Sequence, residues 1–228
     1  MNTSEIFYTT KLYPLQDKVL QHLSEIKLKH YLTGGTAISR FNFQHRYSDD
    51  LDFFLNQDKE FESEVNRAIE KLKKEFSEII IERTEEAFAR IFVVNGDVEL
   101  KIEFVNDVGY HEGGIESFPL YHKVDNLKNI LSNKLCAISR RAEKDIVDLI
   151  WLCRNLKFNW KEAIEGAMKK DTWVNETDLF FALETFPMEK ILTEVKWIEV
   201  PDEDILKNDL KIILGNLIKA TDNSLCKK

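Results

Sequence analysis

At 228 residues the chain suits one large domain or two small ones sharing an interface. Apolar residues make up 43%, with 15 Phe, and charged residues 32%, a balance that argues against disorder and for a helix-rich globular protein. The net charge of −8 argues against a nonspecific nucleic-acid coat, and no apolar run is long enough to span a bilayer.

Cys136, Cys153 and Cys226 are odd in number and lack CxxC spacing, which speaks against a disulfide framework or a zinc site. The start, Met1-Asn2-Thr3-Ser4-Glu5, has neither the charged nor the apolar region of a secretory leader. The expected compartment is therefore the cytoplasm, with no membrane partner. Charge is unevenly spread. Between Lys123 and Lys161 nine Lys/Arg face four Asp/Glu, a local +5 that leaves about −13 on the remainder. A basic face on an acidic body suits a polyanionic substrate better than bulk DNA; the alternative is a solvated helix surface.

In chain order, Pro14 to His30 carries Leu15, Val19, Leu20, Leu23 and Ile26 at helical spacing. Tyr31 to Thr33 reads as a short strand, Gly34-Gly35 as a turn and Thr36 to Gln44 as a short helix. Leu51 to Leu55 reads as a strand and Phe61 to Phe76 as an amphipathic helix. Glu78 to Glu82 and Phe88 to Val94 read as strands, with a hairpin signal at Asn95-Gly96. Val98 to Val105 returns, with Leu100, Ile102 and Phe104 on one face and Glu99, Lys101 and Glu103 on the other. Asn106 to His122 reads as a loop. Helical patterns follow over Asp125–Arg141, Lys144–Leu156, Trp160–Lys169, Glu176–Phe186, Met188–Ile198 and Asp202–Lys219, with Asn159 and Glu162 set as a capping box. Ile205, Leu206, Leu210, Ile213, Leu214, Leu217 and Ile218 give the last helix a broad apolar face. The four tryptophans fall in helical patterns and read as core or interface. The expected fold class is α+β: a mixed β-sheet with helices over residues 1–122, then an all-helical half over 123–228.

The chemistry concentrates between residues 33 and 54. Gly34 and Gly35 permit positive φ and close backbone approach, and amides opening the next helix can hold a phosphate, with Thr36 adding a hydroxyl. Asp50 and Asp52 are two apart at the start of a strand, so their carboxylates share a face. Two like charges held together call for a cation, and hard carboxylate oxygens suit Mg²⁺. Asp49 points the other way and reads as a strand-edge or solvent residue. A third carboxylate belongs on a neighbouring strand, where Glu103 fits by position and Glu99 is the competitor on the same face. Such a set suffices for two-metal phosphoryl transfer.

These residues resemble the DNA polymerase β-like nucleotidyltransferase superfamily, with its glycine turn, helix, Asp-x-Asp strand and later third carboxylate. More narrowly, Thr33-Gly34-Gly35-Thr36-Ala37 with His45-Arg46-Tyr47-Ser48-x-Asp50-Leu51-Asp52-Phe53-Phe54 resembles the AbiEii-type toxin nucleotidyltransferases. A second signature matches at Lys134-Leu135, Arg140 or Arg141, and Lys144-Asp145-Ile146-Val147-Asp148-Leu149. The resemblance implies an α+β nucleotidyltransferase domain whose helical half completes the nucleotide and acceptor cleft. It implies metal binding by Asp50, Asp52 and Glu103, although the family's usual Asp is a Glu here. It assigns nucleotide contacts to Gly34, Gly35, Thr36, Arg46, Ser48 and Lys134. Asp145 would position the base, the ribose or Lys134, whereas its spacing from Arg141 also fits an intrahelical ion pair. Asp148 reads as structural. Arg46 would order the glycine turn or touch phosphate.

The implied activity is Mg²⁺- or Mn²⁺-dependent transfer of a nucleoside monophosphate from a nucleoside triphosphate to an RNA (tRNA among the candidates) or protein hydroxyl. The setting is a bacterial toxin–antitoxin or abortive-infection pair, with an antitoxin from the same operon as partner. The alternatives are nucleotidylation of a small molecule of antibiotic type, and a nucleotide- or partner-binding module without turnover.

Overall fold

The computed structural model describes residues 3–227, so Met1 and Asn2 of the leader reading lie outside it. The chain divides into two compact units, Met1–Phe41 with Tyr47–Asp125, and Asn42–Arg46 with Asn126–Lys228.

The first unit is a mixed sheet with helices. Its strands are β1 (Tyr31–Thr33), β2 (Leu51–Asn56), β3 (Glu78–Glu85), β4 (Phe88–Asn95), β5 (Val98–Asp107), β6 (Ile115–Glu116) and β7 (Val124–Asp125), and its helices α1 (Thr3–Phe7), α2 (Tyr13–Glu25), α3 (Gly34–Ile38) and α4 (Phe61–Glu75). Strand order is β3-β4-β5-β2-β1-β7-β6, with β2–β5 and β1–β7 parallel and the other pairs antiparallel. Alternation decides the faces. Leu51, Phe53 and Leu55 of β2 and Leu100, Ile102 and Phe104 of β5 are buried, while Asp52, Lys101 and Glu103 lie on the half-exposed face. Phe53 stacks on Phe104 at 5.4 Å between centroids.

Several boundaries depart from the sequence reading. α1 and a π-helical turn over Tyr8–Leu12 precede the first expected helix. α3 stops at Ile38 and passes into a second π-helical turn, Ser39–Phe43. The β4–β5 hairpin turns at Gly96-Asp97 rather than Asn95-Gly96, because Asn95 pairs with Val98 and Gly96 takes φ +65. The expected loop over 106–122 contains β6, and Asp125 ends β7 instead of opening a helix.

The second unit is helical: α5 (Leu127–Ala137), α6 (Glu143–Asn155), α7 (Trp160–Met168), α8 (Glu176–Glu184), α9 (Met188–Glu194) and α10 (Glu203–Ile218). Asn126, Asn159, Asn175 and Asp202 cap α5, α7, α8 and α10, each side chain accepting from first-turn amides. In α10, Leu206, Leu210, Ile213 and Leu217 are buried, but Ile205 and Ile218 are exposed, so the apolar face is narrower than the sequence suggests. Trp173 is 86% exposed in the turn before α8, and Trp197 lies beyond α9, against their helical reading. No helix of the described residues is long and apolar enough to cross a membrane.

Candidate active site

The register of the sheet sets the site. Thr33 of β1 pairs with Asp52 of β2, Asp52 with Glu103 of β5, Glu103 with Arg90 of β4, and Arg90 with Arg83 of β3. Asp52 and Glu103 are therefore cross-strand neighbours at the centre of the sheet, about 5 Å apart along the hydrogen-bonding direction. Glu99 lies four residues further back on β5, exposed, opposite Val94.

Cations already meet this face. The Arg90 Nε and a terminal nitrogen donate to Glu103 Oε1 at 2.7 and 2.6 Å. Lys101, two residues before Glu103 on the same face, places its ammonium 3.0 Å from Asp50 Oδ2 and 3.4 Å from Glu103 Oε1. Burial would raise the Glu103 carboxyl, yet Arg90 and Lys101 outweigh it and hold the group below its ordinary value. Burial would likewise lower Lys101, but Asp50, Glu103 and Asp52 raise it overall. Among the described residues, His22, Glu25 and Glu75 form a group whose ligand atoms all lie within 4.8 Å of one another, and Lys71 bridges its two carboxylates. Asp50, Asp52 and Glu103 are spread more widely, with an ammonium between the first and last. Their hard oxygen donors are of the type that a divalent metal takes.

Gly34 is fixed by this carboxylate. Its φ is +70, and a Cβ there would overlap Asp52 Oδ2 and lie 3.1 Å from its Cγ. The glycine thus makes room for Asp52 as well as permitting the turn. Thr36 Oγ1 is buried and bonds to Ser48 Oγ at 2.9 Å and to the Asp50 carbonyl, tying α3 to the start of β2. The Ser48 amide donates to the Tyr13 hydroxyl at 3.2 Å. Asp49 is not a solvent residue: it is half-buried and accepts from the Tyr8 hydroxyl. Below the turn, Thr33 Oγ1 donates to buried Asp125 at 2.7 Å, and His111 Nε2 lies 3.0 Å from the other carboxylate oxygen.

The second motif forms a buried network within the helical unit. Asp148, 0% exposed, accepts at Oδ1 from His45 Nε2 (2.9 Å) and Arg46 Nε (2.8 Å), and at Oδ2 from a terminal Arg46 nitrogen (2.7 Å) and Lys134 Nζ (2.7 Å). Lys134 also reaches Asp145 Oδ1 at 2.7 Å. Burial pushes the Asp148 carboxyl up, but Arg46, Lys134 and His45 together hold it well below the usual range. Burial also dominates His45 and lowers it, so the neutral ring donates from Nε2. Asp145 pairs with Arg140 at 3.1 Å; Arg141, in a left-handed conformation outside the helix, turns to Thr185 instead. His45 stacks on Trp151 at 5.0 Å and Arg46 forms a β-bridge with Trp197, which explains why Asn42–Arg46 groups with the helices.

The structure thus brings Asp50, Asp52 and Glu103 onto one sheet face beside Gly34, and Lys134 and Asp145 into one helical cluster with Arg46. Lys101 and Arg90 were not singled out by sequence reasoning. Lys101 shares Glu103's face by simple alternation, but Arg90 emerges only from the hairpin register.

A glycine turn backed against an Asp-x-Asp strand, a parallel neighbour carrying the next carboxylate, and a following helical unit define the nucleotidyltransferase fold. Two solved structures share it. A candidate nucleotidyltransferase from H. pylori superposes with a TM-score of 0.65 at 16% identity, covering 93% of this chain and 95% of that one. JHP933 from Helicobacter pylori gives 0.61 at 17% identity, covering 92% and 91%. An uncharacterized protein of Aquifex aeolicus, aq_aa25, is 28% identical over 205 residues, 82% of this chain and 88% of that protein. The family model for the nucleotidyl transferase AbiEii toxin of type IV toxin–antitoxin systems matches residues 18–208. The chain belongs to that family and is a nucleotidyltransferase. Membership implies a nucleotide substrate and an antitoxin counterpart.

Proposed function

We propose that this enzyme transfers a nucleoside monophosphate from a nucleoside triphosphate to a hydroxyl of RNA, tRNA included, in a Mg²⁺- or Mn²⁺-dependent reaction, and that this is the toxic activity of a cytoplasmic toxin–antitoxin pair. The observation that carries the reading is the cross-strand pair Asp52–Glu103 with Gly34 packed against Asp52. The acceptor hydroxyl gives its proton to solvent as its oxygen bonds to the α-phosphorus, the α–β anhydride bond breaks, and pyrophosphate leaves with the electron pair.

Asp50, Asp52 and Glu103 are the residues that would hold the metal, which when bound supplies positive charge to the phosphates and acidifies the acceptor hydroxyl. The backbone amides of Gly35 and Thr36 are assigned to phosphate oxygens. The Thr36 hydroxyl bonds to the Asp50 carbonyl and to the Ser48 hydroxyl, holding the strand entrance. Lys134 is assigned to the triphosphate, and Asp145 and Asp148 each hold its ammonium at 2.7 Å. Arg46 acts through Asp148 as a positioning residue for Lys134. RNA is favoured over a small acceptor by the local basic excess between Lys123 and Lys161, where the Arg140 side chain stays 68% exposed.

The test is incubation with each α-labelled nucleoside triphosphate, Mg²⁺ or Mn²⁺, and total RNA. Label should enter an RNA band with wild type and fall by at least about 10³-fold with Asp52→Asn, whose fold is retained. Label confined to small molecules, or full activity in Asp52→Asn, overturns the assignment.

A further inference from the structure

The carboxylate face carries its own cation. Lys101 Nζ stands 3.0 Å from Asp50 Oδ2 and 3.4 Å from Glu103 Oε1, so one ammonium spans two of the three carboxylates assigned to the metal. It arrives there because Lys101 precedes Glu103 by two on β5 and is therefore on the same face. Arg90 differs in kind. Its guanidinium is anchored on Glu103 and also on Glu82 at 3.0 Å, in a rigid fork between two strands. Lys101 has a flexible four-carbon stem and a side chain 29% exposed, so it can leave without disturbing the sheet. Three carboxylates gathered on one face repel one another unless a cation sits among them. An ammonium and a divalent ion cannot occupy the same space between Asp50 and Glu103.

We propose that Lys101 is a resident counter-ion of the carboxylate site, which holds Asp50 and Glu103 in the metal-free protein and must be displaced before a divalent cation binds. The inference rests on the metal reading of these carboxylates given above. Its consequence is weak loading by bare metal: the ion enters only when it brings enough positive charge and enough ligands of its own, as metal-bound triphosphate does. Lys101 is thus a positioning residue that trades intrinsic metal affinity for a pre-formed, folded site.

The experiment is a titration of the nucleotide-free protein with Mn²⁺, read by the loss of the free-ion paramagnetic resonance signal, with thermal melts at each Mn²⁺ concentration. Lys101→Met keeps the stem and removes the charge. It should bind Mn²⁺ about tenfold more tightly than wild type, the weight of one charge-assisted contact. Its metal-free melting point should fall and its Mn²⁺-induced rise should exceed that of wild type. Lys101→Gln, should the Met variant misfold, is expected to show the same gain, and Lys101→Arg is expected to bind like wild type or more weakly. Equal or weaker Mn²⁺ binding in both neutral variants, with binding by wild type abolished in Asp52→Asn, overturns the role of Lys101 and leaves the metal site standing. No Mn²⁺ binding by wild type or either neutral variant, with or without nucleoside triphosphate, overturns the metal reading itself.

Discussion

His30 leads directly into β1, and its ring is completely buried between Phe61 and Phe104, at 5.8 and 5.2 Å between centroids. Neither ring nitrogen has a hydrogen-bond partner among the described residues. Burial lowers its pKa from 6.5 to about 3, outweighing the opposing pull of Asp58. The sign follows from linkage. The unfolded chain takes up a proton below pH 6.5, while the folded state refuses it until about pH 3. The stability in question is therefore complete above 6.5 and falls with pH, at about 1.4 kcal/mol per unit. At pH 5 the loss is about 2 kcal/mol. His30→Leu removes the proton site and both unpaired nitrogens at similar volume. Relief of the unpaired groups, about 1–3 kcal/mol, is partly offset by lost ring contacts of about 0.5–1.5 kcal/mol. The variant should thus match or modestly exceed wild type at pH 8 and gain a further ~2 kcal/mol relative to it by pH 5. Urea denaturation of both proteins at pH 8, 7, 6 and 5 measures that gap, and carboxylate titrations common to both cancel. A gap independent of pH would mean that the imidazole protonates in place, and would refute the reasoning.

Gly34→Ala meets two penalties, an unfavourable left-handed conformation of about 1 kcal/mol and an overlap with Asp52 Oδ2 that only movement of the carboxylate relieves. Transfer activity should fall by about 100-fold or more while melting drops only a few degrees; retained activity would separate Asp52 from the glycine turn. Arg46→Met strips two of the four hydrogen bonds from fully buried Asp148, and urea denaturation should show a loss of about 3–5 kcal/mol. Restoration by Arg46→Lys should be incomplete, since a lysine cannot reproduce the bidentate fork.

What the sequence disclosed follows the range over which each signal acts. The faces of β2 and β5 are set by alternation within each strand, so the separation of Asp50, Asp52 and Glu103 from the apolar face could be read directly. Register acts between strands and depends on the turn. Placing the hairpin at Asn95-Gly96 would set Glu103 opposite Phe88; moving the turn one residue to Gly96-Asp97 shifts the partner by two, to Arg90. The Arg90–Glu103 pair was therefore hidden by a one-residue error in a loop. His45 and Arg46 sit just before β2 in sequence, which invited a role at the glycine turn. Their partners, Asp148, Trp151 and Trp197, lie more than 100 residues away, and no local pattern announces them. Trp173 carried an apolar signal in a segment whose turn is fixed by Asp171 and Asn175 bonding to its backbone, so hydrophobicity alone placed it wrongly.

The two acidic clusters differ in how completely each is neutralised. Asp148 accepts four hydrogen bonds, all that a carboxylate comfortably takes, with no exposed surface. It has no capacity left for a ligand, and its four donors arrive from two loop residues and one helix, which is what a keystone of packing requires. Asp50 and Glu103 are handled differently. Their side chains are 26% and 17% exposed, and the ammonium between them sits on a mobile stem. A carboxylate pair stabilised by a removable cation can exchange that cation for another, whereas one locked by a bidentate arginine, a histidine and a buried lysine cannot without unfolding its surroundings. The same residue type therefore marks the proposed metal site in the sheet and a structural hub in the helices, and the distinction lies in the exposure and mobility of the partners rather than in the Asp-x-Asp or Asp-x-x-Asp spacing.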